Sequence, residues 1–255
     1  MKIALSFDIE PDLHTNKYLG VTEGIPRILT LLNKHNAKGT FFVTCDCIEK
    51  YPEIFQELIT NGHEIALHAY RHERFDELSY GEKEEQIKKS IACFKKYLNI
   101  KPRGFRAPQC SIDNDTLIML ERYGFSYDSS YAPLNLLQLI FFPEKPGLWI
   151  KTFFSRLSPY KIRKNLIEVP HSSFILPFVS MIVRIFPRWT QMLFADFLSL
   201  IYNPLVFYAH SWDFIKLKES RIDRTFSHNG FIRNLDYLLG KLKKNNKFVK
   251  MENLT

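Results

Sequence analysis

The chain has only four cysteines, Cys45, Cys47, Cys93 and Cys110, and no two of them stand in Cys-x-x-Cys spacing. That excludes a zinc knuckle and a thioredoxin-type redox pair, and leaves thiols expected to be buried in a reducing compartment. The sequence also lacks an uninterrupted apolar run of the roughly 20 residues that cross a bilayer. Its first residues, Met1 to Asp8, are too short and too soon charged for a secretory leader, so they read as a strand and point to the cytoplasm. No internal repeat or low-complexity segment is present. The net charge is +8, yet no nucleic-acid motif accompanies it. Lysines and arginines are scattered, with short clusters at 161–164 and 241–247. The excess therefore reads as a solvated basic surface with some attraction for anionic lipid or phosphate, and not for nucleic acid.

What the chain does have is core-forming material. Of its 255 residues, 45% are hydrophobic and 24% charged, and 22 are Phe. Such a composition buries a sizeable core, and the length suits one large domain, residues 1–255. Residues 2–7 form a β-prone strand that runs to Asp8, after which Pro11 stops ladder pairing. Glu23 to Lys34 carries apolar residues at helical spacing with Pro26 in the first turn. Further strands are expected at 39–44, 64–67, 103–106, 125–127, 167–169, 205–209 and 248–251. The helices between them are expected at 52–61, after the Ser79/Glu82 capping box, at 115–123 and at 231–242. Strands alternating with helices in this way imply an α/β fold with parallel strands, a (β/α)₈ barrel or a distorted relative. The stretch 132–203 breaks the rhythm and reads as an apolar, proline-bearing insertion in or around that barrel.

The strands end on polar residues of few chemical kinds: Asp8 with Glu10, His68 with His72, Arg106, Asp128 and His210. In a parallel barrel the C-terminal strand ends meet at one face, so residues far apart in the chain can converge there. Each alone has a plainer reading. An Asp after a strand caps a turn, an Arg before Ala-Pro sits on a loop, and a lone His is a satisfied core residue. Their joint placement argues for a site. His68 and His72 would share one face if the chain turned helical there, a spacing that can grip a zinc ion. The other histidines, His14, His35, His63, His171 and His228, read as loop, helix-end or strand-start residues.

With these residues in place the sequence resembles the polysaccharide deacetylases of the NodB-homology type, over most of the chain except 132–203. The first motif of that family, Thr-Phe-Asp-Asp, stands here as Ser6-Phe7-Asp8-Ile9-Glu10, with the two carboxylates separated by one residue. The His-x-x-x-His motif is His68 to His72, Arg-x-Pro is Arg106-Ala107-Pro108, and Leu-x-x-x-x-His is Leu205 to His210. The remaining motif is Asp128-Ser129-Ser130-Tyr131, with Tyr where many members have Trp. Within the family, Glu23 to Leu29, Asn33 to Asn36 and His63 to Ala69 are similar to the branch that deformylates lipid-linked 4-deoxy-4-formamido-arabinose.

The resemblance implies a distorted (β/α) barrel carrying a metal-dependent hydrolase of a non-peptide C–N bond, acting on an N-acyl amino sugar. It implies a divalent metal, zinc first, held by Glu10, His68 and His72, with Asp8 as general base; an exchange of the Asp8 and Glu10 roles stays open. Arg106 would orient the base, His210 would protonate the leaving amine, and Asp128 would hold the His210 imidazole. Tyr131 and Trp212 would wall the sugar ring. Two other readings remain: an allantoinase-like or cyclic-imidate hydrolase with a small non-sugar substrate, and a non-catalytic sugar-binding relative. Apolar runs at 134–142, 174–183 and 192–201, the last carrying Asp196, with Lys161, Arg163, Lys164, Arg184 and Arg188 among them, suit a peripheral site on an anionic membrane, and suit equally well helices that cover the barrel or a dimer interface. A lipid-linked sugar at the inner membrane face would reconcile a cytoplasmic protein with this family.

Overall fold

The computed structural model describes residues 1–12, 15, 17–136, 146–217 and 225–255. Strand β1 (Lys2–Ile9) is buried from its second residue onward. It runs parallel to neighbours on both edges, which is why Ile3, Ala4, Leu5, Phe7 and Ile9 read as a nearly continuous apolar run. The early part of the barrel continues with β2 (Thr40–Val43), β3 (Glu64–Leu67), β4 (Gly104–Phe105) and β5 (Tyr127–Asp128). Then come β6 (Tyr160–Lys161), β7 (Ile167–Glu168), the small hairpin β8 (Ser173–Phe174) and β9 (Leu176–Pro177), then β10 (Leu205–His210) and β11 (Lys247–Val249). The main sheet has the order β10-β1-β2-β3-β4-β5-β7-β6, with β11 also paired to β1. Every ladder in it is parallel except β6 on β7. This is the curled, distorted (β/α) barrel expected from the sequence.

Helices cover the outside. They are α1 (Ile25–Lys34), α2 (Cys45–Lys50), α3 (Pro52–Thr60), α4 (Tyr80–Cys93) and α5 (Asn114–Arg122). The second half adds α6 (Pro146–Phe153), α7 (Ser180–Ile185), α8 (Arg188–Ile201) and α9 (His228–Leu242). Local chemistry sets several of their starts. Ser79 and Glu82 close the expected capping box on α4, and the Asp113 carboxylate accepts from the Thr116 amide at 2.9 Å on α5. Each such cap is worth about 1 kcal/mol. After α3, Gly62 takes a φ of +80°, the left-handed turn that lets the chain enter β3 directly.

The stretch 132–203 is not a detachable insertion. After β7 the chain crosses to β10 and fills the gap in the wall. Val169 N donates to Asp128 O, and His171 N to Tyr131 O, both at 2.8 Å. On the far side Val206 N donates to Ser172 Oγ at 2.8 Å and Tyr208 N to Phe178 O at 3.3 Å. The sequence rhythm broke there because the connection is made by short bridges and loop backbone rather than by a full strand. Part of the first apolar run, residues 137–142, lies outside the described residues. No described helix is long and apolar enough to cross a membrane.

Candidate metal and catalytic site

Ser6, Asp8 and Glu10 alternate along β1 with core residues, so all three side chains face the barrel interior, one above the other. Asp8 pairs in register with His210 on one side and Phe42 on the other. Arg106 follows β4, and its guanidinium lies at the centre, 0% exposed and over the Phe42 ring at 4.0 Å. Each of its three nitrogens has a partner. Nη1 reaches Asp8 Oδ1 at 2.5 Å, Nη2 reaches Ser6 Oγ at 3.0 Å and Ser129 Oγ at 3.2 Å, and Nε donates to Ser129 O at 3.1 Å. Burial pushes the Asp8 carboxyl up. The Arg106 guanidinium, with His68 and His210 behind it, outweighs that and holds Asp8 below the usual carboxylate range.

Glu10 faces a different pair. Its Oε2 lies 2.5 Å from His72 Nε2 and 3.7 Å from His68 Nε2. Donor atoms of Glu10, His68 and His72 all fall within 4.8 Å of one another. His68 Nδ1 meets the Arg106 carbonyl oxygen at 2.8 Å. A carbonyl can only accept, so Nδ1 carries a proton there and Nε2 is the nitrogen that faces Glu10. That arrangement of a second nitrogen tied to backbone is usual for metal-ligating imidazoles. Glu10 Oε2 is buried, and its polar neighbours are the Nε2 atoms of the two imidazoles. Two imidazoles converging on one buried carboxylate oxygen fit a divalent cation. The helical turn expected between His68 and His72 does not form. Ala69 adopts a φ of +80° and residues 70–72 bend. This left-handed alanine, costly outside a site that holds it, folds His72 back over Glu10.

The third element is His210 at the end of β10. A tight turn, Ser211–Phe214, follows it, and Asp213 Oδ2 accepts from the His210 amide at 2.9 Å. The same oxygen lies 3.8 Å from His210 Nδ1. Burial pulls the imidazole pKa down, but the carboxylates of Asp213, Glu10 and Asp8 reverse this and push it up to about 9. Arg184, buried at the end of α7, donates to the Asp213 carbonyl at 2.6 Å and lies 3.6 Å from its carboxylate. Gly24 makes this packing possible: a Cβ there would stand 2.3 Å from the Ser211 carbonyl oxygen.

Four residues sit differently from the sequence expectation. Asp128 is fully buried, and its carboxylate takes Ser130 Oγ at 2.7 Å and the Ser130 amide at 3.2 Å. No hydrogen bond or ion pair joins it to His210 among the described residues; Asp213 occupies that place. Trp212 stacks on the His210 ring, with centroids 4.3 Å apart, and points its indole N–H at Glu10 Oε1, 3.3 Å away. Tyr131 is 2% exposed, so only an edge of its ring could meet a ligand. Arg184, read from sequence as a basic flank for a membrane, is instead buried against Asp213. Sequence reasoning missed Asp213, although a carboxylate three residues after a strand-ending residue is the spacing of a cap. It also missed Glu168, buried beside Asp128 and bonded to the Tyr131 amide at 3.0 Å. His171 is buried too, its Nε2 on Ser129 O at 2.8 Å, whereas His14 lies outside the described residues.

The barrel and the residues on its rim define a (β/α)-barrel domain with a candidate metal site. The family model described as polysaccharide deacetylase matches residues 1–127, and that part of the chain belongs to the family. The matched span holds Asp8, Glu10, His68, His72 and Arg106, and it ends before His210 and Asp213. A peptidoglycan deacetylase-like protein of Gibberella zeae is 29% identical over 159 residues, 58% of this chain and 46% of that protein. The chain spans about half the length, or less, of the curated relatives it matches. Two solved structures show the same fold. One is a protein of Mycobacterium smegmatis assigned to the polysaccharide deacetylases, 18% identical with a TM-score of 0.73 over 99% of this chain and 87% of that one. The other is a family 4 acetyl xylan esterase from Clostridium thermocellum in complex with a cobalt ion, 16% identical with a TM-score of 0.59 over 100% of this chain and 90% of that one.

Proposed function

We propose that residues 1–255 form one catalytic domain, a divalent metal-dependent hydrolase that removes the acyl group from an N-acyl amino sugar. The observation that carries this reading is the division of labour on one rim: Glu10 faces the two imidazoles, while Asp8 faces Arg106 and stands apart from them. Glu10, His68 and His72 would hold the metal, zinc first. When bound there, such an ion polarises the acyl carbonyl and brings the pKa of water toward about 7.

The chain's own residues do the rest. Asp8, kept ionised by Arg106, accepts the proton of the attacking water. Arg106 fixes the carboxylate's orientation through one short charged hydrogen bond. His210 carries a proton at neutral pH and donates it to the departing amine nitrogen. Asp213 orients His210 from the turn behind it, and Trp212 holds the imidazole face and the Glu10 carboxylate together. Tyr131 edges the sugar pocket.

The similarity to a peptidoglycan deacetylase-like protein supports an N-acyl hexosamine as the substrate class. The finer form of the reading is a deformylase of a lipid-linked amino sugar, working at the cytoplasmic face of an anionic membrane. Its support is the segment similarity in 23–69 together with exposed apolar side chains on α8. The test is a mass-spectrometric screen of zinc-loaded protein against N-acetyl and N-formyl amino sugars, free, nucleotide-linked and lipid-linked. Release of acetate or formate by the wild type and not by Asp8→Asn is expected. Refolded protein that takes up no divalent metal would overturn the reading.

A further inference from the structure

Helix α8 carries apolar residues on two opposite faces, and among the described residues only one of them is covered. Gln191, Ala195 and Leu198 face inward and are buried. Trp189, Leu193, Phe197 and Leu200 follow one another at spacings of four, four and three, which places them in a single outward stripe with one exposed acid, Asp196, at its edge. Trp189 is 67% exposed, Leu193 60% and Leu200 83%. The tip of the β8–β9 hairpin extends the stripe: the exposed Phe174 packs edge-on against Phe197 at 4.8 Å, and Ile175 beside it is exposed. An outward stripe of this size on a monomer marks a contact surface.

We propose that this stripe is the part of the protein that enters an anionic lipid surface, with α8 lying in the interfacial plane. The inference deepens the membrane reading given above by naming the surface and its mode of contact. The charge pattern selects the occupant. Arg188 and Lys241 both lie over the ring of Tyr237, at 5.0 and 5.3 Å, beside the stripe. Arg188 also reaches the backbone of Arg233 at 3.5 Å. Arg188 Nε also donates to Asn234 Oδ1 at 3.0 Å. Neither Arg188 nor Lys241 makes an ion pair among the described residues, so their charges are left to meet lipid phosphates. A half-exposed Tyr and a Trp beside cations is the composition that settles at headgroup depth. A second copy of the chain would instead bring the same unpaired cations and another net charge of +8 against the first. The helix is too short to span, so its stripe can only lie in the interface.

The test uses the full chain and vesicles of phosphatidylcholine with and without phosphatidylglycerol. Wild-type protein should sediment with the anionic vesicles and be released by high salt. Leu193→Glu/Leu200→Glu should weaken partitioning by roughly a hundredfold, since two leucines no longer enter the apolar layer. Arg188→Gln/Lys241→Gln, which keeps the stripe, should weaken binding at low salt and flatten its salt dependence. Trp189→Phe should remove most of the fluorescence blue shift on vesicles. Neither double variant touches the catalytic rim, so hydrolysis of a water-soluble N-acyl amino sugar should match wild type. Unchanged vesicle binding by Leu193→Glu/Leu200→Glu overturns the assignment. So does a wild-type dimer that this variant splits, because a second copy then covers the stripe. Vesicle binding that is lost in the variant while no amino sugar is turned over would leave this surface standing and sink the catalytic reading alone.

Discussion

The carboxylate facing Nδ1 of His210 is that of Asp213, 3.8 Å away, and the same oxygen caps the His210 amide at 2.9 Å. One side chain thus fixes both the backbone and the ring of the proposed acid. Asp213→Asn should lower kcat on an amide substrate by about 10²-fold with little change in KM, within the usual worth of a positioned acid. An activated ester, whose leaving group needs no proton, should be spared most of that loss. Asp128→Asn should behave differently. It disturbs the buried cluster with Ser130 and Glu168, so its first effect should be on melting temperature. Steady-state kinetics on the two substrates and a thermal melt separate these outcomes. A selective loss on the amide in Asp128→Asn and not in Asp213→Asn would restore the role expected from sequence.

The Asp8–Arg106 pair is buried, and removing one partner strands the other. Arg106→Met should destabilise the fold by about 3–5 kcal/mol, because an unpaired buried carboxylate is left beside the core. Adding Asp8→Asn to that background should recover a large part of the loss, since the remaining amide carries no charge. Denaturant titration of the two single variants and the double variant measures the coupling. Strict additivity of the two changes would contradict a direct buried pair.

The parts of the molecule legible in the sequence are those where short-range pattern and long-range geometry coincide. Asp8, His68, Arg106 and His210 each lie in or directly after an apolar strand, and a parallel barrel gathers such positions whatever lies between them. The Ser79 capping box was legible because it is a local chemical requirement. The arrangement of His72 was not. Its position depends on a left-handed alanine, and nothing in the residue type of Ala69 announces that. Nor was the closure of the barrel by residues 169–179, which uses isolated backbone bonds without the alternation of a strand. Arg184 shows the same limit. A basic residue amid apolar ones looks like a membrane flank until its buried partner, 29 residues on, is seen.

Metal retention should depend on all three donors. His68→Ala and His72→Ala are each expected to lose tightly held zinc and activity together, because two protein donors compete poorly with buffer ligands. Equilibrium dialysis followed by elemental analysis reads occupancy without reference to turnover. His210→Ala, by contrast, should keep the metal and lose only rate. Full zinc occupancy in His72→Ala would remove that residue from the donor set. Chelation of the wild type should lower its melting temperature, since an ion that binds only the folded chain stabilises it by mass action.

The acid limit of stability should carry a signature of His63. Its Nδ1 accepts from the Gly39 amide at 3.1 Å, so the ring proton sits on Nε2, which is buried without a partner. Burial, with the ammonium groups of Lys38 and Lys250 nearby, pulls its pKa down to about 4. In the unfolded chain the same imidazole takes its proton near pH 6.5. Between those values the unfolded state binds more protons than the folded one, so stability must fall as the pH drops through about 6.5 and the loss must level off near 4. His63→Asn places an amide oxygen close to the position of Nδ1, keeps the bond to Gly39 and cannot titrate. The difference in unfolding free energy between wild type and His63→Asn, followed by urea titration across this window, should therefore slope with pH inside it and be flat above it. A difference that stays constant from neutral pH down to 4 would mean that His63 takes its proton in the fold as readily as in water, and that its burial is not the cause proposed.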